Sequence, residues 1–468
     1  MGGGGMVLGQ VFERFAAESA ISVMTRGVMQ NAMAASAMDA VFEQASERQY
    51  TRELLFSTLV DLVSVVVCDA RPSVNAAYQA AAERIPVSLT SVYNKLDGVE
   101  PAVSSALVRH TGLQLAPVIE SMGGQLPQLL PGYRVKILDG NHFAATERRL
   151  KVLRRSKAGP LPGFAVVVLD PSLMLAIDAL VCEDGHAQER SLTDAMLATL
   201  IARDLILADR NFCTSRLLFG IAARLAYFAI RQHASNLAWV PVNTRRRRGR
   251  VDGGTVFEQL IDARDEHGNV LRLRRITIEL DVPTRDGETA LHIVTNLPVE
   301  DAPAVAVATL YRNRWTLETM FQDLERTLNG EIKTLAYPKA AVFCFCIALA
   351  AYNVLSTVKA ALRAKHGHEK IEDEVSEYYV ADEISGTYRG MMIAIPEPDW
   401  KPFESIGPDE LARVLLGLAG RVKLARFRRH PRGAKKPVPK RTRYTTHTHV
   451  STARLLAKSR ESRPDRVS

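Results

Sequence analysis

Three carboxylates stand out by where they fall. Asp139 closes the apolar run of "RVKILDGNH" (134–142), in which Val135, Ile137 and Leu138 favour a strand and Gly140-Asn141 offers turn chemistry. Asp209 repeats the pattern at the end of the apolar run in "DLILADRNF" (204–212). Glu318 belongs to "YRNRWTLETMFQDLE", where 100° per residue puts Tyr311, Arg314, Glu318 and Glu325 on one stripe. An apolar stripe of Leu317, Met320, Phe321, Leu324 and Leu328 runs beside it. Singly, each acid has an ordinary role: two turn aspartates and an i, i+4 bridge between Arg314 and Glu318, worth a few tenths of a kcal/mol. Together they form a set of hard oxygen donors of the kind Mg²⁺ takes. Crowded without a cation, three carboxylates would raise one another's pKa. Two divalent ions roughly 3.5–4 Å apart would activate an attacking oxygen and stabilise a leaving one, which is phosphoryl-transfer chemistry.

The elements around these acids read as follows. Residues 1–10 form a glycine-rich tail, and residues 11–130 are helical throughout, with Leu54, Leu55, Leu59, Leu62, Val65 and Val66 on a 3.6 period. A break at Pro86 and an N-cap at Ser88 divide two short helices. As a helix-turn-helix, the second would offer Thr90, Ser91, Tyr93, Asn94 and Lys95 to DNA. From 131 the texture changes to strand (to Asp139), hairpin (163–182 about Pro171-Ser172), helix (192–202), strand (to Asp209), helix and strand (226–232). That order predicts an α/β domain around one mixed sheet, spanning 131–232 and 298–360. Residues 233–297 interrupt it as a β-rich insertion, with Arg245, Arg246, Arg247 and Arg248 on a charged loop suited to phosphate. Trp239, just before that loop, reads as a core residue or as a platform for a displaced base. A helical region (361–420) and a basic tail (421–468) follow, and Pro431, Pro437 and Pro439 argue against regular structure in the tail.

Bulk properties narrow the partners. The 468 residues are 47% hydrophobic and 24% charged, with a formal charge of +9. Residues 421–468 carry 16 Lys and Arg against Glu461 and Asp465, so the remainder of the chain is mildly acidic. A globular body with a basic end points to a polyanion, nucleic acid first. Five scattered cysteines without a C-x-x-C pair support neither a disulfide framework nor a structural zinc site, and fit a reducing cytoplasm. The run "AAVFCFCIALAAYNVLSTV" (340–358) is apolar for only 13 residues before Asn353, too short to span a bilayer, and reads as a buried helix.

The order Asp, Asp, β-rich insert, helical Glu resembles the DDE transposases of bacterial insertion sequences. "YRNRWTLE" matches the Tyr-x₂-Arg-x₃-Glu part of the signature of their IS-four-type branch at Tyr311, Arg314 and Glu318, and "LDGNH" and "ADRNF" resemble the segments around the family's aspartates. Where the signature continues to a Lys, this chain has Glu325. The resemblance implies a ribonuclease-H-like catalytic domain over roughly 130–360 behind a helical DNA-binding domain. It implies Asp139, Asp209 and Glu318 as ligands of two Mg²⁺ ions (or Mn²⁺), with Tyr311 and Arg314 on DNA phosphate. Its partners would be double-stranded DNA, as terminal inverted repeats and as target, and a second copy in a homodimeric synapse. A nuclease of the same fold, or a DNA-binding protein that has lost catalysis, are the alternative expectations.

Overall fold

The computed structural model describes residues 10–49, 51, 53–154, 157–233, 235–284, 287–314, 320–322, 324, 327–430 and 449–461. The helical N-terminal region holds α1 (Gln10–Glu18), α2 (Ala20–Ala32), α3 (Ala35–Ala45), α4 (Phe56–Val67), α5 (Val74–Ala81), α6 (Leu89–Leu96) and α7 (Pro101–Met122). Ser88 does cap α6, its side chain accepting from the Ser91 amide. The break before α6 follows from Pro86, which lacks an amide hydrogen and disfavours helix in the preceding residue.

The α/β part follows as β1 (Arg134–His142), β2 (Gly159–Leu161), β3 (Phe164–Asp170), β4 (Leu175–Cys182), α8 (Thr193–Ala198), β5 (Asp204–Ala208), α9 (Ser215–Ala223) and β6 (Tyr227–Arg231). The insertion supplies β7 (Ala238–Pro241), β8 (Arg246–Val251), β9 (Gly254–Arg264), β10 (Val270–Leu280) and β11 (Ala290–Thr295). Strand order among the described residues is β4-β3-β1-β5-β6-β11-β10-β9-β7, with β8 also on β9. The first five strands make the ribonuclease-H-like half: β1 runs parallel to β5, β5 parallel to β6, and β1-β3-β4 are antiparallel. The insertion is therefore no separate body. β11 pairs with β6, and Asn296 fastens the junction by accepting from the Phe228 amide and donating to the Ala226 carbonyl.

The run 245–248, expected on a loop, enters a strand. Arg246–Val251 pairs with β9, because acids distant in sequence face it: Arg248 bonds Glu258 at 2.7 Å, Arg250 bonds Asp281 at 2.6 Å, and Arg245 bonds Glu279 while lying over Phe257.

α10 (Ala304–Arg312) and α11 (Pro338–His366) cover one face of the sheet, followed by α12 (His368–Glu374), α13 (Glu377–Ala394), α14 (Glu397–Trp400), α15 (Pro402–Ser405) and α16 (Pro408–Ala419). The expected apolar helix at 340–358 lies inside α11, long enough to cross a membrane yet with 89% of its most apolar window buried in the protein. Such all-round hydrophobicity marks a core helix. Its first polar interruption after the apolar run explains the placement. Asn353, fully buried, accepts from the Ala176 amide and donates to the Ala176 carbonyl, both at 2.8 Å, and donates to Thr111 at 3.1 Å. It thereby satisfies backbone groups on edge strand β4, at the bulge beside Leu169. The region after α11 packs back on the first helices, with Phe12 against Trp400 and Gln30 bonded to Glu404.

Regular structure also appears in the basic end, where none was expected. β12 (His449–Ser451) pairs in parallel with β2, and α17 (Thr452–Glu461) follows. The three prolines lie at 431–439, outside the described residues, so they do not oppose order from 449 onward.

Candidate carboxylate site

Residues 135, 137 and 139 of β1 alternate onto the face where α10 and α11 lie, as do 205 and 207 of β5. The parallel ladder ends at Leu138–Ala208, so Asp139 and Asp209 come next on neighbouring strands. Such strands lie roughly 4.8 Å apart, so both acids leave the sheet at one edge. The sequence expectation needs one correction: β1 does not stop at Asp139. It continues to His142 through antiparallel pairing with β3, while its parallel neighbour β5 departs. Asp139 thus sits where one side of a strand loses its partner. Asp209 does end its strand, where it caps the turn Arg210–Phe212 by accepting from the Asn211 amide at 2.8 Å.

Gly140 does not turn the chain. It stays in the strand, and a Cβ there would lie 2.5 Å from Glu189 Oε1. Glu189 approaches from the opposite face, that of Leu138 and Phe164, and went unnoticed in the sequence. Burial raises its pKa, Asp209 raises it further, and Asn211 opposes both with a hydrogen bond. It lines a groove of about 610 Å³ with His142, His186, Asn211 and His233.

Arg314 was expected to meet DNA phosphate, with a bridge to Glu318 along its own helix as its ordinary role. α10 ends at Arg312, and Arg314 follows in the turn, its Nη1 3.3 Å from Asp139 Oδ2. This ion pair is largely enclosed, the two side chains being 10% and 16% exposed. Tyr311 lies beneath, 6.0 Å from the guanidinium. Burial pushes its hydroxyl up to about 12; the Arg314 and Arg231 cations oppose that and the Asp209 carboxylate adds to it. The fold thus gathers Asp139, Asp209, Tyr311 and Arg314. Glu318 and Glu325 lie outside the described residues.

A second carboxylate missed in the sequence is Glu331, which accepts from Ala144 N at 2.8 Å and from Asn141 Nδ2 at 3.4 Å. It anchors the loop after β1 and lines a cleft of about 510 Å³ together with Asn141, Phe321 and Lys333. No sequence signal distinguished it from the other acids.

The remaining expected contacts are less favourable. Lys95 is half-buried, its Nζ 4.4 Å from the Phe42 ring centroid, and burial lowers its pKa. Arg246 and Arg247 are exposed, whereas Arg245 and Arg248 hold the ion pairs above. Trp239 is half-buried under the Arg275 guanidinium, 5.0 Å from its ring centroid.

The donor chemistry at the site is hard oxygen, which suits Mg²⁺ or Mn²⁺. Among the described residues no group of three His, Cys, Asp or Glu is arranged to hold an ion. The described part supplies two neighbouring aspartates, Asp139 and Asp209. Residues 130–354 match the family model of the transposase DDE domain, which supports a DDE transposase. No curated protein matches the chain.

Proposed function

We propose that the chain is a DNA transposase that cuts duplex DNA at the terminal inverted repeats of a mobile element and joins the freed ends to target DNA. The observation carrying this reading is that Asp139 and Asp209 stand side by side just past the end of the parallel β1–β5 ladder, within the segment similar to the transposase DDE domain. Asp139, Asp209 and Glu318 would hold two divalent cations, Mg²⁺ or Mn²⁺, which supply Lewis acidity and lower the pKa of an attacking water.

The protein's own groups do the positioning. Arg314 presents a planar fork that fits a phosphate, one edge turned to Asp139. Tyr311, kept neutral by burial, packs under that guanidinium and limits its rotation. Glu331 fixes the strand end beyond Asp139. α6, Arg246 and Arg247 are the expected outer DNA contacts, and a homodimer would bring two ends together.

The test is cleavage of a duplex carrying the repeats that flank the gene, with Mg²⁺ or with EDTA. Wild type is compared with Glu318→Gln and Asp139→Asn. Metal-dependent nicking at the repeat boundary, absent in both variants, is the expected result. Binding without nicking would move the reading to an inactive DNA-binding protein, and nicking without joining to a nuclease.

A further inference from the structure

The strongest unassigned feature lies beside the site, in the loop that follows β1. Between Glu147 and Lys157 the sequence carries six Lys and Arg against the single acid Glu147. Arg148, Arg149, Lys151, Arg154 and Lys157 are all exposed. The loop is held firmly at its start: Ala144 N bonds Glu331, Glu147 N bonds the Lys333 carbonyl at 2.9 Å, and Phe143 packs on Phe345 of α11. These anchors join the loop to the strand end that carries Asp139.

A second basic element is brought against it. β12 pairs with β2, and Ser451 and Thr452 are buried there. Arg454 bonds Asp184 at 2.8 Å, which fixes the start of α17. α17 then packs on the turn Lys151–Leu153 and exposes Lys458 and Arg460. On the other flank, Arg149 acts electrostatically on Tyr93 of α6. Arg149 is partnered by Glu147 and Arg454 by Asp184, which leaves Arg148, Lys151, Arg154, Lys157, Lys458 and Arg460 as the exposed cations of the two segments. Ordinary solvated lysines have no need of a strand and a buried Ser-Thr pair to hold them in register.

We infer that residues 147–154, Lys157 and α17 form one platform for the sugar–phosphate backbone of duplex DNA, leading from the rim of the carboxylate site toward α6. The inference rests on the transposase reading, since it assigns the path of that reading's substrate. The contacts are with phosphate, so they set position and affinity rather than sequence preference.

The experiment measures binding of a fluorescent duplex of arbitrary sequence to the full chain across a salt series. Lys151→Ala/Arg154→Ala and Lys458→Ala/Arg460→Ala are compared with wild type and with Arg224→Ala, an exposed arginine just before β6, at the end of the parallel strands opposite the aspartates. Each double variant should bind roughly tenfold or more weakly, and its slope of log K against log salt should fall by about 0.9 for each phosphate no longer neutralised. Arg224→Ala should keep the full slope. Equal losses in all three variants would mean a general charge effect and would overturn the platform. So would wild-type affinity and slope in both doubles, while wild-type cleavage lost in Glu318→Gln would leave the transposase reading standing. A wild-type chain that binds no duplex would remove both. The substituted side chains are exposed, so an unchanged melting temperature is expected throughout.

Discussion

The two halves of the central sheet handle charge differently. In the half running β4-β3-β1-β5-β6, β3 and β5 are almost wholly apolar, cross-strand pairing gathers at the start of β1 and β5, where Arg134 and Lys136 meet Asp204, and at the other end of those strands Asp139 takes its cation from outside the sheet, from Arg314. In the half running β11-β10-β9-β7, acids and arginines answer each other across strands. Glu258 on β9 lies between Arg274 of β10 and Arg248 of β8, both at 2.7 Å, and Arg272 meets Asp262. Cross-strand pairs of this kind belong to the sheet's own stability. The lesson is that a run of like charge cannot be interpreted until its folded partners are known. The richest run of arginines is largely occupied by structural partners, while a sparse pair of aspartates sits where strands part.

That contrast predicts distinct failures. Asp139→Asn or Asp209→Asn should leave melting unchanged and lower cleavage by about 10³-fold or more, since a metal ligand supplies several kcal/mol of transition-state stabilisation. Nicking near the wild-type rate in either variant would break the comparison.

In the other half the effect should fall on stability. Arg274 is buried, and besides Glu258 it donates to the Leu297 and Ala302 carbonyls at 2.9 and 2.8 Å. Arg274→Met strands those acceptors and should cost about 3 kcal/mol in a denaturant titration. A change within error would mean that the pairing is incidental.

Arg314→Lys keeps the charge and loses the fork. We expect about a tenfold fall in turnover with little change in DNA affinity, equivalent to about 1.4 kcal/mol. An equal loss in both quantities would make Arg314 a simple phosphate anchor.

His292 sharpens the comparison through pH. Burial and then the charges of Arg275, Arg245 and Arg231 lower its pKa to about 4, below its ordinary value. The unfolded chain therefore takes up the proton first, so stability falls as pH drops from the usual histidine range toward about 4. His292→Gln should flatten that part of the melting profile, and an unaltered profile would contradict the assignment. The smallest effect belongs to Arg250→Ala, whose pair with Asp281 is exposed and should contribute under about 1 kcal/mol.

Much of this was legible in the sequence where the cause is local. The Ser88 cap, the hairpin about Pro171-Ser172 and the buried helix around Asn353 each depend on neighbours within a turn or on a simple period. Asp139 was expected to end its strand because Gly140-Asn141 resembles a turn, but the antiparallel partner β3 holds the chain extended to His142. The arginine run was misread because its partners, Glu258, Glu279 and Asp281, lie 10 to 34 residues away. The helix through Tyr311 was expected to continue through Arg314, and its end at Arg312 has no marker such as Gly or Pro in "YRNRW". Glu189 and Glu331 become visible only once strands and helices converge. The basic loop after β1 did carry a signal, its local charge, which the longer basic end overshadowed.

The junction of β6 with β11 has a mechanical consequence. Ala229 and Ile230 are paired with β5 on one side and with β11 on the other, with Asn296 bracing the start of the strand. Arginines on the far strands are thus coupled to the aspartates through continuous backbone, with no linker between them. Amide hydrogens of β5, β6 and β11 should exchange as one cooperative unit. The insertion is then a fixed jaw, and a duplex laid across it must do the bending.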